Sequence, residues 1–248
     1  MLVDKPLEVT DLSRDELLRL VGIFLGDLLV HYGMWLTETV RYQGIETAVR
    51  SEGRVLREYF PLALKRLAPH FGVELDGDLQ AALTSKSRDE LLLLMSDIAK
   101  TWVASDGLWF QAIEDRFGMD PAKQVNDTCW SHFAHMEAHK IRSLLQIGPS
   151  GGLDALERAL NFRIYATITP HEATRLDRAT LLFKITECRV QAARRRKEMR
   201  DYPCKSAGIM EFTTFARCID PRIKTECLSC PPDNLGDDEF CTWRFTLE

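Results

Sequence analysis

The sequence predicts an α+β protein, with a helical region over residues 1–150 and an α+β domain with an antiparallel sheet over 151–248. Three observations carry this. A hexapeptide and a longer Gly- and Trp-marked stretch recur in one register in the first half. Alternating apolar and polar residues replace helical periodicity after residue 160. Six of the seven cysteines fall after residue 187.

The repeat comes first along the chain. SRDELL stands at 13–18 and again at 87–92, an offset of 74 residues. The same offset lays GMWLTETVRYQGIETA on GLWFQAIEDRFGMDPA, aligning Gly33 with Gly107, Trp35 with Trp109, Gly44 with Gly118 and Ala48 with Ala122. Two separate matches in one register indicate a tandem duplication, with units over about 13–70 and 87–147. Each unit reads as a helical hairpin. Ser13 and Ser87 can cap the first helix, and Glu16 and Glu90, three residues on, complete a capping box. That helix stops at Gly44 or Gly118, and in the later unit the second helix opens with Asp120 as N-cap and Pro121 at the first helical position. The product is a four-helix layer. Trp35 and Trp109 read first as its core aromatics and second as walls of a pocket between helices.

WSHFAHMEAHK places His132, His135 and His139 on one helical face. The outer two lie about 10 Å apart along the axis, so the three cannot ligate one ion together. No E-x-x-H of the ferritin-like di-metal kind occurs. A solvated or interfacial histidine face is the expectation.

After the turn-rich IGPSGG at 147–152, LDALERAL reads as a short helix. FRIYATIT (162–169) and TLLFKITE (180–187) alternate as strands, with Phe162, Ile164, Ala166 and Ile168 on one face of the first and Leu181, Phe183 and Ile185 on one face of the second. The loop between them holds Pro170 and His171. CRVQAARRRKEM and CKSAGIMEFTTFARCI read as helices. RIKTEC and FCTWRFTLE close the chain as strands, with Ile223, Thr225 and Cys227 inward on one and Cys241, Trp243, Phe245 and Leu247 inward on the other. The fold class is therefore an antiparallel sheet with inserted helices.

Composition narrows the function classes. A net charge of −5 argues against a general nucleic-acid binder, which needs a basic surface. RRRK at 194–197 is one helical turn without interleaved aromatics and reads as a solvated face or a docking site for an acidic group. No charged segment followed by an apolar run opens the chain, so no secretory signal is expected. The most apolar run is broken by Arg19, Asp27 and His31, so no membrane span is expected. These features point to the cytoplasm, where clustered cysteines read as a metal site or catalysis rather than disulfides.

Cys227 and Cys230 form a C-x-x-C pair, and Cys241 returns on the neighbouring strand. A tetrahedral zinc site wants four such ligands. Cys204, at a helix start where the dipole favours the thiolate, fits best as the remaining one. Cys218, some 20 Å further along that helix, fits poorly. The expected metal ligands are Cys204, Cys227, Cys230 and Cys241, holding zinc or, alternatively, an iron–sulfur cluster. Cys188 is a substitute ligand or a reactive thiol.

PCKSAG, ECLSC and FCTWRF together resemble the zinc-binding signature of 4-vinyl-reductase-type domains, which include sensory domains of aromatic-responsive regulators and are distantly similar to TRAPP transport subunits. The resemblance spans about residues 155–248. In those domains three cysteines and an acidic residue hold a structural zinc. Cys204, Cys230 and Cys241 match the three cysteines, and Cys227, three residues before Cys230, falls where those domains have the acidic ligand, so the resemblance implies a four-thiolate version. Over nearly the whole chain, GLWFQAIEDRFGMDPA, CRVQAARRRK, PCKSAG, IDPRIKTECLSCPPD and CTWRF also resemble an uncharacterised family of bacterial and archaeal cytosolic proteins. That family is in turn similar to the L-2-amino-thiazoline-4-carboxylate hydrolases.

Three functions follow as expectations. The first is a small-molecule-binding protein with a structural zinc, its ligand touching Trp109, Phe110, Phe162, Tyr165 and Phe212. The second is a hydrolase of a small cyclic amide, amidine or thiazoline. The chain has no G-x-S-x-G, so Cys188 with His171 or Glu187 is the best available catalytic set. The third is an iron–sulfur redox or assembly module. By analogy with paired sensory domains, a homodimer is the expected assembly.

Overall fold

A computed structural model describes residues 44–68, 87–233 and 240–248, with scattered positions between 29 and 41. The chain divides into two compact units, 1–63 and 64–248. In the first, Gly44 takes the left-handed φ of 82° that a side chain would resist, and helix α1 (Ile45–Leu67) begins directly after it. The Tyr32 and Tyr59 rings stand 6.0 Å apart. Ser13, Glu16 and Trp35 lie outside the described residues.

The second unit holds the longest helix among the described residues. Helix α2 (Arg88–Phe117) starts directly after Ser87 and stops at Gly118, whose φ is 89°. Helix α3 (Met119–Leu145) begins at that same glycine rather than at Asp120. Asp120 and Pro121 instead occupy the first turn, where a negative charge meets the helix dipole and a missing N–H goes unfelt. Helix α4 (Gly152–Leu160) follows.

Residues 162–169 depart from the expected strand. They form a turn and a short 3-10 helix over Tyr165–Ile168. The reason is Arg163, which the alternation places outside but which is 3% exposed, while Phe162 is 49% exposed. Glu137 of α3 accepts from Arg163 Nε at 2.8 Å and from the Ile164 N–H at 2.8 Å. Arg163 Nη1 reaches Glu211 at 2.6 Å, and its guanidinium lies 4.7 Å from the Phe215 ring centroid. A buried arginine held by two carboxylates outweighs the weak preference for an extended chain. The strand forms instead at His171–Asp177 (β1), in the stretch expected to be a loop. Its polar, charged residues suit the sheet edge that it occupies.

Strand β2 (Thr180–Ile185), helix α5 (Arg189–Arg196), helix α6 (Lys205–Ile219) and strands β3 (Ile223–Ser229) and β4 (Cys241–Leu247) complete the chain close to their expected bounds. The four strands form one antiparallel sheet in the order β1-β2-β4-β3. Helix α6 packs against the sheet on one side and α3 on the other. The core between them holds Leu156, Leu181, Phe215, Ile219, Trp243 and Phe245, all fully buried. No helix among the described residues is long and apolar enough to cross a membrane.

Candidate metal centre

Alternation in a strand puts residues three apart on opposite faces, so Cys227 and Cys230 cannot both face inward on a regular β3. A one-residue shift resolves this: Cys227 pairs with Trp243, but Ser229 pairs with Thr242. The extra residue turns Cys230 onto the inward face opposite Cys241, and their sulfurs stand 3.0 Å apart. That is well beyond the ~2.05 Å of a disulfide bond. Both are buried.

Cys204 joins them from the N-terminus of α6. One turn along, Gly208 lies so close to Trp243 that an added Cβ would sit 2.6 Å from Cζ2 and 2.9 Å from Cη2. Only glycine lets the helix lie on the indole, and Trp243 is two residues beyond Cys241. The close approach therefore sets the distance between Cys204 and the strand. Ligand atoms of Cys204, Cys230 and Cys241 all lie within 4.8 Å of one another. Sulfurs at ~2.3 Å from a tetrahedral zinc would be ~3.8 Å apart, so the three fit one ion with small adjustments.

Cys227 does not complete this group. It neighbours Cys230, but its register partner is Trp243, two residues and roughly 7 Å of strand away from Cys241. No fourth ligand joins the three sulfurs among the described residues.

The electrostatics favour a cation. Hydrogen bonds from the Cys230 and Cys241 thiols bring the Cys204 thiol down to about 4. Donating to Cys204 pushes both partners up, and burial adds to this. Unaided, the trio holds one thiolate and resists the next two; a metal ion supplies the positive charge that all three need. Neighbours hold the sulfurs in place. Gln191, fully buried, donates from Nε2 to the Tyr202 carbonyl at 2.6 Å and to Cys204 Sγ at 3.3 Å, while its Oε1 accepts the Tyr202 N–H at 2.9 Å. Asp233 accepts the Cys230 N–H at 3.2 Å and pairs with Lys205 at 2.8 Å, tying the C-x-x-C-P turn to the first turn of α6.

The three cysteines line a cavity of about 460 Å³ enclosed by α2, α5 and α6 and the inner face of the sheet. Phe110, Trp130, Tyr165, Phe212 and Trp243 supply apolar wall. Lys100, Arg189, Arg196 and Lys197 contribute positive charge. Burial raises the Asp106 carboxyl despite its bond from Asn126, and burial likewise raises Glu211. Trp243 is 1% exposed, and its indole N–H has no partner among the described residues.

The other expected site residues divide. Phe110, Tyr165 and Phe212 line the cavity, whereas Trp109 is 69% exposed and, like Phe162, is not among the lining residues. Cys188 caps α5 and lines the cavity, 4.0 Å from Tyr165 Oη, and burial pushes its thiol up. His171 lies elsewhere, its ring nitrogens engaged with Thr169 O and Asn161 Oδ1. Glu187 is exposed. Arg194 of the RRRK run is buried and bidentate to Glu114, at 2.8 and 2.7 Å. It is an internal tie rather than a solvated charge.

Gln191, Gly208 and Asp233 went unmarked in the sequence. A glycine inside a helix costs about 1 kcal/mol, so Gly208 within PCKSAG was the one legible signal among them. Against known families, the model described as a family of unknown function (DUF6125) matches residues 83–247. No curated protein and no solved structure matches the chain, and neither the 4-vinyl-reductase-type nor the hydrolase resemblance gains support.

Proposed function

The chain belongs to DUF6125, a family of unknown function, and we propose that it binds a small organic molecule beside a zinc ion held by Cys204, Cys230 and Cys241. One observation carries the reading: the three clustered thiols line the same cavity as Phe110, Tyr165 and Phe212. Zinc with three protein ligands keeps a position for water or a bound group, whereas four thiolates close the site. The mainly apolar wall and the four cationic side chains suit a ligand with an apolar body and an anionic group. Thermal-shift screening of aromatic and alicyclic carboxylates and thiols, with and without zinc, tests this. Binders that need both zinc and Phe110 support it. Zinc-loaded protein indifferent to the whole series would sink it.

A second reading, a hydrolase of a small cyclic amide, amidine or thiazoline, draws on Cys188 in the cavity wall beside Tyr165. Its raised thiol pKa makes it a weak nucleophile at neutral pH. Turnover of such a ring that survives Cys188→Ser would remove that residue from the mechanism. Visible colour and bound iron would instead favour an iron–sulfur cluster on the same cysteines.

A further inference from the structure

Away from the cavity, the geometry points to a second metal site, built by His135 and His139 of α3 with Cys218 of α6, that takes a zinc-class divalent cation. The two histidines are four residues apart, so they share a helix face one turn apart, and their ring centroids lie 5.0 Å from each other. Cys218 is the penultimate residue of α6. Ligand atoms of the three residues all lie within 4.8 Å of one another.

The helix packing makes this meeting possible. Ala134 and Ala138, both fully buried on α3, share a core cluster with Phe215, Ala216 and Ile219 of α6. Small side chains there let the helices approach closely, and His135 and His139 interleave with them along α3. Spacing along α3 sets His132 and His139 about 10 Å apart, too far for those two to share one ion. The third ligand comes from another helix, which spacing along α3 alone does not reveal.

The donor set selects the ion. Two imidazoles and a thiolate suit borderline-soft zinc, whereas magnesium and calcium require oxygen ligands. Cys218 is half-buried, and burial raises its thiol while the nearby Arg142 charge opposes that rise. Zinc must displace the thiol proton and tolerate the guanidinium, which a hard cation with no affinity for sulfur does not do. Cys218 lies 14 residues after Cys204, roughly 21 Å along α6, so the two sites sit at opposite ends of that helix. A metal here would clamp α3 to α6. It does not depend on the cavity site.

Full-length, untagged protein tests the site through the alkylation rate of Cys218, read from its own peptide by mass spectrometry. Zinc at ten times its dissociation constant should slow that rate about tenfold. Slowing should occur in wild type and in Cys230→Ser, and should vanish in the His135→Ala/His139→Ala double variant. Equilibrium dialysis should show the double variant binding one zinc fewer than wild type. A Cys218 rate indifferent to zinc, or equal protection and equal stoichiometry in the double variant, overturns the assignment. Because the readout is the Cys218 peptide, failure here is distinct from failure at Cys204, Cys230 and Cys241.

Discussion

Replacing Gly208 with alanine sets two known effects against each other. Alanine favours the helix by about 1 kcal/mol over glycine. Its Cβ, however, would stand 2.6 Å from Trp243 Cζ2 and 2.9 Å from Cη2, where ordinary carbon contacts lie at ~3.5–4.0 Å. Something must retreat by about 1 Å. The indole has little room to do so, being 1% exposed with its ring 4.7 Å from that of Phe212. Overpacking of this kind costs roughly 1–3 kcal/mol, and a rigid ring wedged in the core belongs at the upper end. The net expectation is a loss of about 1–2 kcal/mol in urea denaturation. The same retreat lifts the start of α6 from β4 and separates Cys204 from Cys230 and Cys241, so zinc affinity by chelator competition should fall at least about tenfold. A variant more stable by the helix-propensity amount, with unchanged zinc affinity, would refute the reasoning.

Gln191→Leu removes the donor to Cys204 and leaves the Tyr202 N–H and carbonyl without their partner; stability should drop by at least ~2 kcal/mol and zinc affinity by about 10–100-fold, measured by the same two assays. Arg163→Met leaves Glu137 and Glu211 buried without their cation, and should cost about 3–5 kcal/mol at neutral pH. Burial already raises the Glu211 carboxyl, and loss of the cation raises it further, so that deficit should shrink as pH falls in denaturation curves. Zinc binding should itself be proton-linked. Cys204 is mostly ionised at neutral pH, whereas the raised Cys230 and Cys241 thiols must lose their protons. Calorimetry of the His135→Ala/His139→Ala variant in buffers of different ionisation enthalpy should therefore show about two protons released per zinc, with affinity falling as pH is lowered; release of none would exclude these thiols.

Much of this was legible in the sequence, for identifiable reasons. Local signals gave α4, β2, α5, α6, β3 and β4, because periodicity and flanking turn residues agree with what those segments bury. The strand assigned to 162–169 failed because Arg163 is satisfied by Glu137 and Glu211, on elements distant in sequence. Spacing indicated a cysteine site but not its membership. Cys230 faces Cys241 through a one-residue bulge in β3, and a bulge carries no reliable mark in C-x-x-C. Trp109 aligned with Trp35 in the repeat yet stands exposed, since alignment within a repeat does not say which face a helix buries.

The most direct test of the central claim is cadmium-113 NMR on cadmium-loaded wild type, Cys227→Ser and Cys230→Ser. A site held by Cys204, Cys230 and Cys241 predicts a three-sulfur resonance that survives Cys227→Ser and disappears in Cys230→Ser. A four-sulfur resonance abolished by Cys227→Ser, or a three-sulfur resonance unchanged in Cys230→Ser, would contradict it.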